Sequence, residues 1–349
     1  MVDISEWSSN VWRINLGRGK GDELDISYVV DCGTDPETEE NKVAVIDTGS
    51  NERMGTTIIN FVTEELGYEK KSISAIFLTH SHPDHLGGLK ILKSETDADL
   101  YVHFNAKQIF EKPEEQESKF GKDFALENQF KVHGTGGKLA LAWRSGVFMN
   151  YSGLPTPDHY VKGGEDVSIG KEVFVLDSTG GHCSDHILIH AYRAKATFIG
   201  DELGIYPDNE YAFFFDLTGS PEQRKKTLRV CQRLKTTYVY PAHLSPIAQE
   251  DLDQLVETAI LAQEHFETTV LETLAGYGRL RLSELTIKVM NTLAINWKSP
   301  FNELKVDQTT IQVYLDKFLA EKLIEYDEKS KDYIYLETED KIDPNYGFY

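Results

Sequence analysis

Short apolar runs alternate with stretches of helical periodicity through the first two-thirds of the chain. The runs Val43–Ile46, Ser74–Thr79, Leu100–Phe104, Glu172–Leu176, Ile187–Ala191, Thr197–Ile199 and Thr237–Tyr240 are rich in Val, Ile, Phe and Tyr. Most are bounded by Gly, Asp, Pro or Ser, which predicts strands. Thr56–Leu66 and Glu250–Leu274 carry the spacing of helices, and Ser220-Pro221-Glu222-Gln223 has the form of a helix start. It offers a capping serine, proline in the first turn and glutamine three residues after the cap. The pattern predicts an α/β layered protein.

From about Gln108 to Glu165 the periodicity weakens into charged residues, glycines and scattered aromatics. An irregular stretch of this length reads either as a lid or substrate wall, or as a decorative insertion. Past Leu274 the character changes again. Leu280–Leu293 and Thr309–Lys322 predict helices, the second with Ile311, Leu315, Phe318 and Leu319 on one face. Two strands, Leu323–Tyr326 and Tyr333–Leu336, flank the polar turn DEKSKD. Helix, helix and hairpin in this order predict a winged-helix-like domain over 266–349, appended to a larger domain over 1–265. The polar face of the second helix, with Gln308, Gln312, Asp316, Lys317 and Glu321 among its residues, is nearly neutral. A packing or dimerisation role is therefore expected in place of DNA binding.

With 40% hydrophobic and 27% charged residues over 349 positions, the composition is that of an ordinary globular protein. No apolar run approaches the length of a bilayer span. The start, MVDISEWSSNVWRI, lacks the basic-then-apolar pattern of a signal peptide, so a cytoplasmic location is expected. Cys32, Cys183 and Cys231 have no CxxC spacing and do not form a disulfide framework; Cys183 reads as a small filler. The formal net charge of −21 disfavours nucleic acid as a partner. An anionic substrate stays open, because a bound cation reverses the potential inside a pocket.

The chemistry concentrates in FLTHSHPDHLGGL, from Phe77 to Leu89. Alternate residues of an extended segment face the same way, so His80 and His82 can aim at one point. Asp84 and His85 follow as the chain turns into a helix and can aim at a second point. Imidazole and carboxylate are the donors for zinc, iron or manganese. Further donors sit just past other strands: His182 after FVLDSTGG, Asp201 after TFIG and His243 after TYVYPA. Four strands thus deliver candidate ligands at their carboxyl ends, where an open α/β sheet forms its crevice.

HSHPDH, the GGH at His182, the GD at Asp201, the PAH at His243 and the DTG at Asp47–Gly49 resemble, in order, the metal motifs of the metallo-β-lactamase superfamily. The resemblance runs from about Trp7 to Gln263. It implies an αββα sandwich, with His80, His82 and His182 on a first metal, and Asp84, His85 and His243 on a second. Asp201 would bridge the two metals, and Asp47 would orient ligands from behind. The tail resembles the winged-helix-like domain appended to some acyl hydrolases and nucleases of that superfamily. Two divalent ions, zinc first and iron or manganese as alternatives, are the implied cofactors.

The implied reaction is hydrolysis by a metal-bound hydroxide, with Asp201 and Asp84 as its central carboxylates and Asp84 able to carry a proton to the leaving group. Lactone-cleaving relatives place a tyrosine three residues after the bridging aspartate. Here that position is Gly204, with Tyr206 two residues on. The glutathione-thioester hydrolases of the superfamily (the glyoxalase II type) carry late basic residues that have no clear equivalent here. The aromatics Tyr206, Phe213, Phe214 and Phe215 could line an apolar acyl pocket or pack as core. A small-molecule acyl ester or thioester is the expected substrate, and a homodimer the expected assembly. A phosphodiesterase or ribonuclease, and a mononuclear iron oxidoreductase of the persulfide dioxygenase kind, are the alternatives.

Overall fold

The computed structural model describes residues 2–8, 10–17, 25–112, 153–204, 213–293 and 304–336. Among these, the first sheet runs in chain order through β1 (Asp3–Ser8), β2 (Val11–Asn15), β3 (Ile26–Thr34), β4 (Asn41–Ile46), β5 (Ile73–Phe77), β6 (Asp99–His103) and β7 (His159–Val161). Pairing is antiparallel from β1 to β4 and parallel from β4 to β7. The second sheet contains β8 (Glu165–Ile169), β9 (Glu172–Ser178), β10 (Ile187–Ala191), β11 (Ala196–Gly200), β12 (Tyr238–Pro241) and β13 (Ile247–Ala248).

The two sheets face each other because their strands are apolar on both sides. In β4, Ala44 and Ile46 join Phe77, Phe174, Leu176, Ile187 and Phe198 between the sheets. Val43 and Val45 point the other way. They meet Met54 and Ile58 of α1 (Glu52–Asn60) and, beyond the short α2 (Pro83–Leu86), Leu89 and Leu92 of α3 (Leu89–Glu95). Each fully buried Val or Ile contributes about 1.5–3 kcal/mol of transfer free energy, and a one-residue slip would exchange the two faces. After α4 (Lys107–Glu111) come α5 (Pro221–Cys231) and α6 (Gln249–Tyr277). They cover the outer face of the second sheet, where Leu188, Ile199 and Val239 pack with Leu228, Leu252 and Val256. The result is a helix–sheet–sheet–helix sandwich.

The expected boundary between 265 and 266 falls inside α6, which continues unbroken to Tyr277. Its last turns carry Phe266, Val270 and Leu274 into a separate cluster. This cluster also takes in α7 (Leu282–Leu293), α8 (Leu304–Ala320) and a small sheet of β14 (Arg279–Arg281), β15 (Ile324–Asp327) and β16 (Asp332–Tyr335). The helix read as starting at Leu280 begins instead at Leu282, because Arg279–Arg281 pairs with β16. Most of the irregular stretch between Gln108 and Glu165, namely 113–152, lies outside the described residues.

One edge of the sandwich gathers the functional strand ends. β9 and β11 are both antiparallel to β10 and so run together, and β12 is parallel to β11. The Ile187 N–H donates to the Thr79 carbonyl across the gap at 2.8 Å, tying this edge to the end of β5.

Candidate metal centre

The chain leaves β5 extended through Thr79–His82 and turns into α2, with Pro83 in the first helical position. His80 and His82 therefore share a side, while Asp84 and His85 swing to the next. Between the two histidines, Asp185 accepts from the Ser81 N–H at 2.9 Å and from the Ser81 hydroxyl at 2.6 Å. Behind α2 the backbone of Gly87 lies so near Ser50 that a Cβ would sit 2.1 Å from its carbonyl carbon, so only glycine fits.

Three imidazole nitrogens converge in a first cluster. His80 Nε2 is 2.9 Å from His82 Nδ1, which is 3.0 Å from His182 Nε2. The far nitrogen of each ring settles its tautomer. His182 Nδ1–H donates to the Phe214 carbonyl at 2.7 Å, and His82 Nε2–H faces the Asp216 carboxylate at 3.4 Å. His80 Nδ1 is 3.1 Å from Thr79 Oγ1, whose own proton goes to Asp47 at 2.8 Å. With each ring neutral, all three converging nitrogens therefore present lone pairs. Three acceptors at this spacing repel one another unless a cation lies between them, and that is the first test of fit for a metal. Burial, helped by the neighbouring imidazoles, depresses His80, and it pulls His182 down to about 4, whereas at His82 burial is outweighed by Asp216, which raises the ring. The Cys183 sulfur lies within 4.8 Å of the same nitrogens, with burial pushing its thiol up.

The second cluster is Asp84, His85 and His243. His243 Nε2 is 3.3 Å from an Asp84 oxygen, and His85 Nδ1–H donates to Asp47 at 2.8 Å. That leaves His85 Nε2 and both His243 ring nitrogens buried without a hydrogen-bond partner among the described residues. Orphaned donors and acceptors of this kind are rare in folded proteins, and a cation would satisfy the Nε2 atoms. Burial opposes charge on His85, but Asp47, Asp201 and Asp84 outweigh it and raise the ring to about 9. His243 is likewise raised, against its burial, by Asp201 and Asp84. The carboxylates thus draw positive charge to this point.

Asp201 stands between the clusters. One oxygen is 3.6 Å from His182 Nε2 and 4.0 Å from His80 Nε2; the other is 3.5 Å from His85 Nε2 and 3.3 Å from His243 Nε2. It follows directly on Gly200, whose φ of +48° and closeness to His186 Nε2 exclude a side chain. Asp47, also in the left-handed region at φ +56°, accepts from the Thr79 N–H and hydroxyl and from His85. All seven sequence-predicted ligand residues and Asp47 are brought together.

Three buried carboxylates escaped the sequence reading. Asp185 and Asp216 brace the first cluster as described. Glu202, fully buried, accepts from Thr179 Oγ1 at 2.6 Å and from the Gly181 and His182 N–H groups, shaping the loop that carries His182. His186 has no free nitrogen: it accepts from the Asp201 N–H at 3.2 Å and donates to Thr179. His190 bonds Asp177 and Thr197, His103 bonds Ser178, and His159 stacks on Tyr101. Of the aromatics read as pocket or core, Phe213 and Phe215 are core in the C-terminal cluster. Phe214 packs on the rings of His182 and His82, and Tyr206 lies outside the described residues.

A sequence model of the metallo-beta-lactamase superfamily matches residues 27–243, more than half of the chain and a span that contains every one of these ligand residues. The chain belongs to the metallo-β-lactamase superfamily. Its members are mostly metal-dependent hydrolases, and the clustered histidines and aspartates of this chain are a site that could bind metal. Two solved structures share the superfamily fold. A metallo-beta-lactamase family protein from Thermus thermophilus is 18% identical with a TM-score of 0.64, covering 89% of this chain and 94% of its own. A beta-lactamase domain protein from Burkholderia ambifaria is 15% identical with a TM-score of 0.65, covering 96% and 94%. Both likenesses extend past residue 243 into the C-terminal helices. No curated protein sequence matches the chain. No helix among the described residues is long and apolar enough to cross a membrane.

Proposed function

We propose that this chain is a dinuclear metal-dependent hydrolase of an acyl ester or thioester. The observation that carries this reading is Asp201, whose two carboxylate oxygens face two separate clusters of imidazole nitrogens. When bound, two divalent ions would supply Lewis acidity and a water acidified toward neutrality. The first ion would rest on His80, His82 and His182, the second on Asp84, His85 and His243, with Asp201 shared. The chain's own residues do the rest. Asp84, the most exposed carboxylate of the site at 31% of its side chain, can take a proton and return it to a leaving group. The Phe214 ring forms an apolar wall beside the first cluster, which suits an acyl chain over a phosphodiester.

Zinc is the favoured ion for this imidazole-rich set. The chain is read as a cytoplasmic homodimer whose C-terminal helices and hairpin form a winged-helix-like unit that does not bind nucleic acid. The test is hydrolysis of ester, thioester, lactone and phosphodiester probes with and without chelator. Turnover of an acyl probe, lost with chelator and restored by zinc, is expected. Full turnover in chelator, or cleavage of the phosphodiester alone, would refute the reading. Elemental analysis of protein purified without added metal separates two zinc ions from a single iron.

A further inference from the structure

Residues Phe213–Asp216 make contacts in alternation on two faces. Phe213 and Phe215 point into the C-terminal cluster, with ring centroids 5.4 Å from Phe266 and 6.0 Å from Tyr314. The Phe215 N–H donates to the hydroxyl of Thr310, a buried residue of α8, at 3.3 Å. Phe214 and Asp216 point the other way, into the first cluster. The Phe214 carbonyl holds His182 Nδ1–H, and the Asp216 carboxylate faces His82 Nε2. Asp216 is itself fixed from two sides. Its other oxygen accepts from the Thr218 N–H at 2.6 Å and hydroxyl at 2.7 Å, and its N–H donates to the His182 carbonyl at 3.3 Å.

We infer that Phe214–Asp216 is a positioning strap through which the C-terminal unit sets the metal affinity of the first cluster and leaves the second alone. Two of the three imidazoles of the first cluster take their tautomer and orientation from this strap. The second cluster is oriented elsewhere, His85 by Asp47. The strap holds its line because alternate side chains are locked in a core built by α6, α7 and α8. The C-terminal unit is therefore part of the metal site's scaffold, not an accessory hung from it. Asp216 and Thr310 are positioning residues, and neither touches the reacting atoms. The inference rests on the metal reading proposed above, so its test is built to separate the two.

The experiment measures zinc affinity by chelator competition in two backgrounds, each keeping one cluster. His243→Ala keeps the first and His80→Ala keeps the second. Removing a hydrogen-bond partner of a ligating histidine costs about 10- to 100-fold in metal affinity. Asp216→Asn is expected to weaken zinc by that factor in the His243→Ala background and to leave the His80→Ala background within about twofold. Thr310→Val, which removes the acceptor for Phe215 without changing shape, is expected to act in the same direction. Thr310→Ser should restore the affinity. Cobalt-loaded protein adds a second readout, since its visible bands should change in the first background only. Equal losses in both backgrounds, or none in either, would overturn the strap. If Asp216→Asn does not fold by its melting curve, the Thr310 pair decides alone. Parent protein that retains no zinc in either cluster would instead sink the metal reading itself.

Discussion

At the scale of single residues, the site is a set of imidazoles whose free lone pairs are dictated from behind. Asp47 does this in both clusters, accepting from His85 and, through Thr79, fixing His80, while held at a positive φ. Non-glycine residues reach that region at a cost of roughly 1–2 kcal/mol, repaid here by three hydrogen bonds. Asp47→Ala should lower metal affinity about 10- to 100-fold, read by zinc titration with a competing chelator, while leaving the fold intact by circular dichroism. Away from the site, burial holds the His190 ring below its ordinary 6.5, with Asp177 only partly offsetting it. The unfolded chain protonates this ring first as pH falls through 6.5, so its contribution to stability is constant above that point and declines below it. His190→Gln should remove this ring's share of the stability lost between about pH 7.5 and 5.5, read as a smaller pH dependence in urea denaturation. The seven residues proposed as ligands, and Asp47, were legible in the sequence because each sits in a short motif at a strand end. Asp216 was not. It lies 134 positions from the histidine it faces, and nothing in FFFDLT distinguishes a bracing carboxylate from a turn residue.

At the scale of elements, what the sequence showed most clearly is what is buried on both faces. β4, β5, β10 and β11 are near-continuous apolar runs because each is covered by helices outside and by the facing sheet inside. The edge strand β1 reads DISEWS and is only partly covered, so no periodicity announced it. β14 was hidden for another reason: it exists only through pairing with β16, more than fifty residues on. The start of α5 was legible, and the Ser220 hydroxyl does accept from the Gln223 N–H. Ser220→Ala should cost about 1 kcal/mol, visible as a lower urea midpoint with an unchanged slope.

At the scale of the molecule, α6 makes one body of two cores. Leu252, Val256 and Ile260 belong to the sandwich, and Phe266, Val270 and Leu274 to the C-terminal cluster. A chain ending after Tyr277 would expose the second set together with Phe213 and Phe215. It should be recovered mainly in the insoluble fraction, and a soluble, zinc-retaining product would contradict the shared-core arrangement. Ion binding should stabilise the whole: at a free zinc concentration about 100 times Kd, each site adds about 2.7 kcal/mol. Thermal scans should therefore show a higher Tm with zinc and a lower one with chelator.

The position of Thr310 in the chain has a consequence for how the protein is made. Every residue proposed as a ligand, from His80 to His243, is synthesised before the helix that anchors the strap. A nascent chain paused on the ribosome holds its donors but not the brace that aligns two of them. If the first cluster holds an ion as proposed, its capture would be a late event in maturation, waiting on the synthesis of α8.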